Sequence, residues 1–131
     1  MPAQDGLELT ATATVLDGSH TRLWAHVCNR GAARDVLGPV CGNSPWRSYV
    51  ALANGTPVPQ PKFFTCAALN WHKFDHGADD RFEVVWQRRG WNETADAWQP
   101  LDAASFVWHI GFRLYNSNGS IAAQMPFQLA T

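Results

Sequence analysis

The sequence has few of the features that mark membrane, nucleic-acid-binding or catalytic proteins. It contains no apolar run of about 18 residues, so it predicts no membrane span. Ten basic and eleven acidic residues give a formal net charge of -1, without the basic bias that is typical of nucleic-acid-binding domains. A glycine-rich phosphate loop is also absent. We therefore expect no nucleic acid partner and no cofactor.

Cysteine is scarce: Cys28, Cys41 and Cys66 are the three in the chain. No pair has the spacing of roughly two to four residues that zinc ligands favour. An odd number allows at most one internal bridge. Cys41 and Cys66 both lie beside loop-like stretches, whereas Cys28 lies inside a predicted strand, so we predict a Cys41–Cys66 disulfide. Three reduced, buried thiols are the alternative.

The histidines provide only weak metal candidates. His72 and His76 have i, i+4 spacing, which brings two imidazoles together only on a helix. Gly77 next to them favours a loop instead, although Asp75 or Asp79 could add ligands. The sequence also places no nucleophile beside an oriented base. We therefore predict no bound metal and no enzymatic activity.

Short segments of alternating apolar residues are what the sequence does contain. The clearest is residues 105–114, in which every second residue is large and apolar: Phe106, Trp108, Ile110, Phe112 and Leu114. Successive side chains of a strand point to opposite faces. This segment therefore predicts a central strand whose apolar face fills the core.

Similar patterns indicate the rest of the fold. Further strands are predicted at residues 7–15, 22–29, 36–40, 48–53, 81–87 and 121–129, with another around 67–71. Glycine, proline and polar residues predict loops at 41–46, 56–61, 72–80 and 88–100. Seven to nine short strands with frequent turn signals indicate an all-β, immunoglobulin-like antiparallel β-sandwich. We expect a single domain over residues 1–131, with residues 1–6 flexible.

The order of these segments resembles a known family. The opening run Leu23-x-Ala25-x-Val27-x-Asn29-x-Gly31, followed by Val36, is similar to the strand, Asn-x-Gly, strand opening of bacterial immunoglobulin-like domains. A loop around Gly77 then precedes the run Phe82-x-Val84-x-Trp86, and a small-residue corner leads into Ala104-Ser105-Phe106-x-Trp108.

Together these motifs resemble the intracellular proteinase inhibitor family over residues 7–129. The resemblance implies a bacterial β-sandwich with proteinase inhibition as its activity, and it identifies no inhibitory residues. Ser105 and Phe106 depart from the Gly and Tyr that are usual at this corner. The cysteines flanking the middle strands are more similar to those of secreted relatives.

Tryptophan is the most unusual feature, with seven residues. Trp86 and Trp108 fit the predicted core. The other candidates lie in or beside predicted loops: Trp46, Trp71, Trp91 and Trp98. Tryptophan is common at interaction hot spots, so these four, with Arg88 and Arg89, form the candidate binding surface. The alternative is that they fold back over the ends of the sandwich.

The functional prediction is a non-enzymatic module that binds another protein or associates with copies of itself. We expect an extracellular or periplasmic location with any leader outside these residues, and a cytoplasmic location stays open. One alternative is a proteinase inhibitor that binds a protease. Another is a carbohydrate-binding module that holds a polysaccharide on exposed tryptophans.

The cysteine pattern gives the first testable prediction: Cys41 and Cys66 are bonded and Cys28 is free. Such a bridge would stabilise the fold by roughly 3–4 kcal/mol in the chain-entropy model. Mass spectrometry of non-reduced peptides should find one cross-linked pair, Cys41 with Cys66. A bridge that contains Cys28 would contradict the prediction.

Overall fold

The computed structural model describes residues 3–4, 6–37, 44–62, 71–114 and 120–130. Their regular elements are all strands, eleven in number: β1 (Ala3–Gln4), β2 (Leu7–Val15), β3 (His20–Asn29), β4 (Arg34–Leu37), β5 (Trp46–Leu52), β6 (Trp71–Phe74), β7 (Asp79–Gln87), β8 (Arg89–Asn92), β9 (Ala97–Pro100), β10 (Ser105–Arg113) and β11 (Ser120–Gln128). The prediction of an all-β antiparallel sandwich is confirmed. No described segment is a helix that could cross a membrane.

Two antiparallel sheets carry the core. The first has the strand order β1-β2-β3-β7 and the second has the order β11-β10-β5. Two small sheets, β4-β6 and β8-β9, complete the described part of the chain. β10 is hydrogen-bonded on both sides, so the predicted central strand is the middle strand of its sheet.

The inward face of β10 is the centre of the core. Its four large side chains are each at most 1% exposed: Phe106, Trp108, Ile110 and Phe112. From the opposite sheet, the ring of Phe82 lies 6.1 Å from that of Trp108, and the ring of Trp86 lies 4.9 Å from that of Phe106. Trp108 Nε1 donates to Ser48 Oγ at 2.8 Å, so the one polar atom of this large buried side chain is satisfied.

Asn29 explains the Asn-x-Gly signal at the end of β3. It is fully buried, and its Nδ2 donates to the carbonyl oxygens of Ala32 at 2.9 Å and Phe74 at 2.8 Å. Its Oδ1 accepts from Gly31 N at 2.9 Å. Because a buried amide is stable only when it is hydrogen-bonded, Asn29 ties the end of β3 to the end of β6.

The long alternating strands agree with their predicted bounds to within two residues, namely β2, β3, β7, β10 and β11. Three shorter predictions are wrong in whole or in part. Trp46 begins β5 rather than ending a loop, the loop predicted at 72–80 contains the end of β6 and the start of β7, and residues 88–100 form β8 and β9. Ala3–Gln4, in the segment predicted to be flexible, pairs with β2. Strands of two to four residues are too short to show an alternation.

Truncating the central tryptophan tests the core. We expect Trp108→Ala to lower the free energy of unfolding by about 3–5 kcal/mol, because a large cavity would remain between the sheets. Trp108→Phe is the matched control and should cost less, since most of the ring volume is kept. Urea unfolding measures both, and a loss below about 1 kcal/mol for Trp108→Ala would show that this face is not the core.

Candidate binding surface

Three of the six predicted surface residues lie together on the β8–β9 hairpin. The register pairs Trp91 with Trp98 and Arg89 with Pro100. In the turn, Asn92 Oδ1 accepts from Ala95 N at 3.0 Å, and Asp96 has a φ of 51°. Asp and Asn tolerate these turn conformations better than most residues, so the loop chemistry suits a hairpin.

Gly90 attaches this hairpin closely to the body of the protein. A Cβ built on Gly90 would lie 3.3 Å from Leu101 Cδ2 and 3.4 Å from Pro59 Cδ. Trp91 N also donates to the carbonyl oxygen of Pro59 at 2.9 Å. Since Gly90 is buried, its side of the hairpin faces the protein.

The opposite side of the hairpin carries the two tryptophans and Arg89, because successive side chains of a strand alternate. The rings of Trp91 and Trp98 meet edge to face at 5.4 Å, and Arg89 Cζ lies 4.6 Å from the centre of the Trp98 ring. All three residues are half-buried. We call this cluster of Arg89, Trp91 and Trp98 the tryptophan hairpin face.

A small cleft adjoins this face. Its volume is about 250 Å³, and its walls include Arg89, Trp98, His20, Gln87 and Gln99. Pockets for drug-sized ligands start at about 300 Å³, so this cleft suits one side chain or one small ring. Aromatic, cationic and amide groups line it together.

Arg88 is half-buried, and the chain itself engages its guanidinium. Its guanidinium donates to four carbonyl oxygens, at 2.9 Å to Ala103, 3.2 Å to Gly18, 2.9 Å to Ala130 and 3.1 Å to Asp102. Carbonyls outside the strand ladders need such partners. Arg88 therefore fixes three chain segments at one end of the sandwich.

Trp46, another of the six predicted surface residues, packs against the core. Its ring lies 5.0 Å from that of Phe112 and 6.0 Å from that of Phe82, and its Nε1 donates to Asp80 Oδ2 at 3.2 Å. Trp71 is 39% exposed, but it belongs to β6 and not to the hairpin. The six residues therefore do not form one surface.

The other candidate sites divide between described and undescribed residues. His72 lies in β6, and His76 makes a ring hydrogen bond to the carbonyl oxygen of Gly31 at 2.9 Å, so no helix brings the two imidazoles together. The described residues contain no cluster of three or more potential metal ligands. Cys28 is a free cysteine, and the predicted partners Cys41 and Cys66 lie outside the described residues.

Sequence reasoning missed two aromatic pairs on the outer faces of the sheets. Trp24 and His26 stack along β3 with ring centres 6.1 Å apart. Tyr49 and His109 stack across β5 and β10 at 4.4 Å, with ring planes 4° apart. The alternation places all four on the outer side of a strand, but only the strand register brings Tyr49 opposite His109.

Comparison with known proteins identifies the fold. No family model and no curated protein matches the chain. The crystal structure of a beta-glucosidase from Kluyveromyces marxianus in complex with glucose is similar over 95% of this chain, with a TM-score of 0.53 and 12% identity. The selenomethionine-labelled structure of the Kluyveromyces marxianus beta-glucosidase gives a TM-score of 0.54 at 12% identity. The chain spans 14% of the length of these enzyme chains, and the likeness concerns the fold alone.

Arg88 and Arg89 provide a matched test of the two roles described above: Arg88 binds backbone carbonyls, and Arg89 lies over the ring of Trp98. We expect Arg88→Met to lower the free energy of unfolding by roughly 2 kcal/mol, because charge-assisted hydrogen bonds to backbone carbonyls are lost. Arg89→Met should cost less than about 1 kcal/mol, the value of an exposed cation–π contact. Urea unfolding compares the two, and equal losses would contradict the different roles.

Proposed function

We propose that the chain is a non-enzymatic binding module that docks on another protein, a second copy of itself included, through the tryptophan hairpin face. The observation that carries this proposal is the display of Arg89, Trp91 and Trp98 on the outer side of a hairpin whose inner side is fixed to the core. Tryptophan and arginine are the residues most enriched at binding hot spots.

Preorganisation supports the same function. Trp91 and Trp98 hold each other edge to face, and the hydrogen bond from Trp91 N to Pro59 O holds the strand that carries them. Ordering a mobile side chain on binding costs about 0.5–1.5 kcal/mol. A surface whose large side chains are already positioned avoids much of this loss, and the adjoining cleft can accept one side chain of the partner.

The structural neighbours support a modular role. In the beta-glucosidases the similar region is a small part of a much longer chain, so this fold occurs as one domain beside others. An extracytoplasmic setting belongs to the same proposal, because a Cys41–Cys66 bridge would persist there. The docking partner can then be a neighbouring domain, a separate protein or another copy of this chain.

Polysaccharide binding is the second candidate, and the cleft is the observation that favours it. Trp98 offers an aromatic wall, and His20, Gln87 and Gln99 offer hydrogen-bonding groups around it. Proteinase inhibition, implied by the family resemblance, has less support. The side chain of Arg88 is bonded to backbone carbonyls and is not available to enter a protease.

Site-directed photo-crosslinking tests protein docking. A photoreactive phenylalanine analogue replaces Arg89 or Trp98 in the full chain, and the same analogue at Arg81, exposed on β7, is the matched control. We expect a defined cross-linked product from positions 89 and 98, a homodimer or a single partner of the source organism, and none from position 81. Equal products from all three positions, or none, would contradict docking at the hairpin.

Affinity electrophoresis separates the polysaccharide alternative. Gels that contain a soluble polysaccharide should leave the mobility of the native chain unchanged relative to a gel without it. Retardation that Trp98→Ala abolishes and Trp24→Ala does not would replace protein docking with carbohydrate binding at the same face.

A further inference from the structure

The three strands of the second sheet carry positively charged side chains and no carboxylate side chain. β5, β10 and β11 contain Arg47, Arg113 and His109, and they contain no aspartate or glutamate. The inward positions of these strands form the core, so Arg47 and Arg113 lie on the outer face. The segments outside the described part of the chain could add few carboxylate side chains, because Asp5 is the one aspartate or glutamate that they contain.

The first sheet shows the opposite arrangement. Arg22 donates to Glu83 at 2.9 Å across β3 and β7, and Arg30, just beyond β3, donates to Glu8 at 2.7 Å. The hydrogen bond from Arg22 lowers the pKa of the Glu83 carboxyl. Arg22 and Arg30 therefore have carboxylate partners at the first sheet. No ion pair is described for Arg47 or Arg113 among the described residues.

The two arginines of the second sheet are close to each other. Arg47 lies opposite Gly111 in the register, and Arg113 follows Gly111 by two positions on β10. Diagonal neighbours of this kind have their Cα atoms about 7–8 Å apart, and their Cβ atoms are somewhat closer. Burial, and secondly the charge of Arg47, lowers the pKa of the Arg113 guanidinium. An anion between the two would relieve their repulsion.

Between the two arginines the sheet carries a buried glycine, Gly111. Gly111 lies between Arg47 on β5 and Ala122 on β11. A Cβ built on Gly111 would meet only Ile121 O at 3.5 Å and Ala122 Cβ at 3.7 Å, which are ordinary contact distances. A backbone can therefore approach this strip of small residues more closely than a strip with larger side chains.

Aromatic and cationic side chains border the strip. The stacked pair Tyr49 and His109 stands on one side, and Arg113 stands on the other. Tyr49 is 46% exposed, so apolar and polar groups of a ligand can contact its ring. We call the surface formed by Arg47, Arg113, Gly111, Tyr49 and His109 the arginine strip.

We propose that the arginine strip binds an extended acidic peptide segment with carboxylates at alternate positions. In an extended peptide, side chains two residues apart lie on one side and are about 6.6–6.8 Å apart, close to the separation of the two arginines. Arginine binds carboxylates through paired hydrogen bonds. The strip shares no residue with the tryptophan hairpin face, so this proposal is independent of the proposed function.

Fluorescence anisotropy with labelled synthetic peptides tests the proposal. One peptide carries Glu-x-Glu in a Gly/Ser background, and a second of equal charge carries Glu-x-x-Glu. We expect tighter binding of the first, and binding that weakens with added salt because the contacts are exposed charges. Arg47→Gln and Arg113→Gln should each weaken binding by roughly tenfold, the effect of losing a charge-assisted hydrogen bond.

Two further variants separate recognition from folding and from net charge. Arg22→Gln removes one positive charge from the other sheet and should leave peptide binding unchanged. Gly111→Val fills the strip with a residue that favours strands, so thermal unfolding should stay close to that of the native chain while peptide binding is lost.

Three results would overturn the proposal. The first is equal affinity for the two peptides, or no binding of either. The second is a loss of affinity in Arg22→Gln as large as in Arg47→Gln. The third is tighter binding of an oligouronate or a single-stranded oligonucleotide of equal charge, which would assign the arginine strip to another class of acidic polymer.

Discussion

The burial of one face of β10 is the interaction on which the rest of the structure depends. Trp108 and its neighbours on that face contact both adjacent strands of their own sheet and the aromatic rings of β7. Because side chains alternate along a strand, the same burial fixes the outer face of β10. The side chains of His109 and Arg113 are partly exposed because they point away from the core that Trp108, Ile110 and Phe112 fill. The core and the arginine strip are thus two sides of one strand.

At the ends of the sheets, polar side chains form hydrogen bonds with backbone groups that the strand ladders leave unpaired. Asn29 satisfies backbone groups where β3 and β6 end, and Arg88 does the same for segments before β10 and after β11. A buried carbonyl without a partner, such as that of Phe74 without Asn29, would cost about 1–3 kcal/mol. Each residue therefore stabilises a position in the fold, and Arg88 also fixes the point at which the β8–β9 hairpin begins.

The sequence predicts the fold wherever a strand is long enough to alternate. β2 and β10 are recognised from nine residues each, whereas β8 and β9 have four each and contain Gly90 or Pro100. Arg88 and Arg89 are identical in type and adjacent in sequence, so only the hairpin geometry distinguishes the arginine that binds backbone carbonyls from the one that lies over Trp98. The nearness of Arg47 and Arg113 depends on the register of β5 with β10, which no local pattern reveals.

The tryptophan pair is larger than the hairpin needs for its own stability. A two-stranded hairpin alone is marginal in water, but this one is already held by the packing of Gly90 on Leu101 and Pro59 and by the hydrogen bond from Trp91 N. A cross-strand aromatic pair adds only about 0.2–1 kcal/mol, which smaller apolar residues could partly supply. The proposed docking on a partner would explain two half-buried indoles beside a cationic side chain. Since the opposite side of the hairpin is fixed to the core, a partner would meet a surface that is already in its binding conformation.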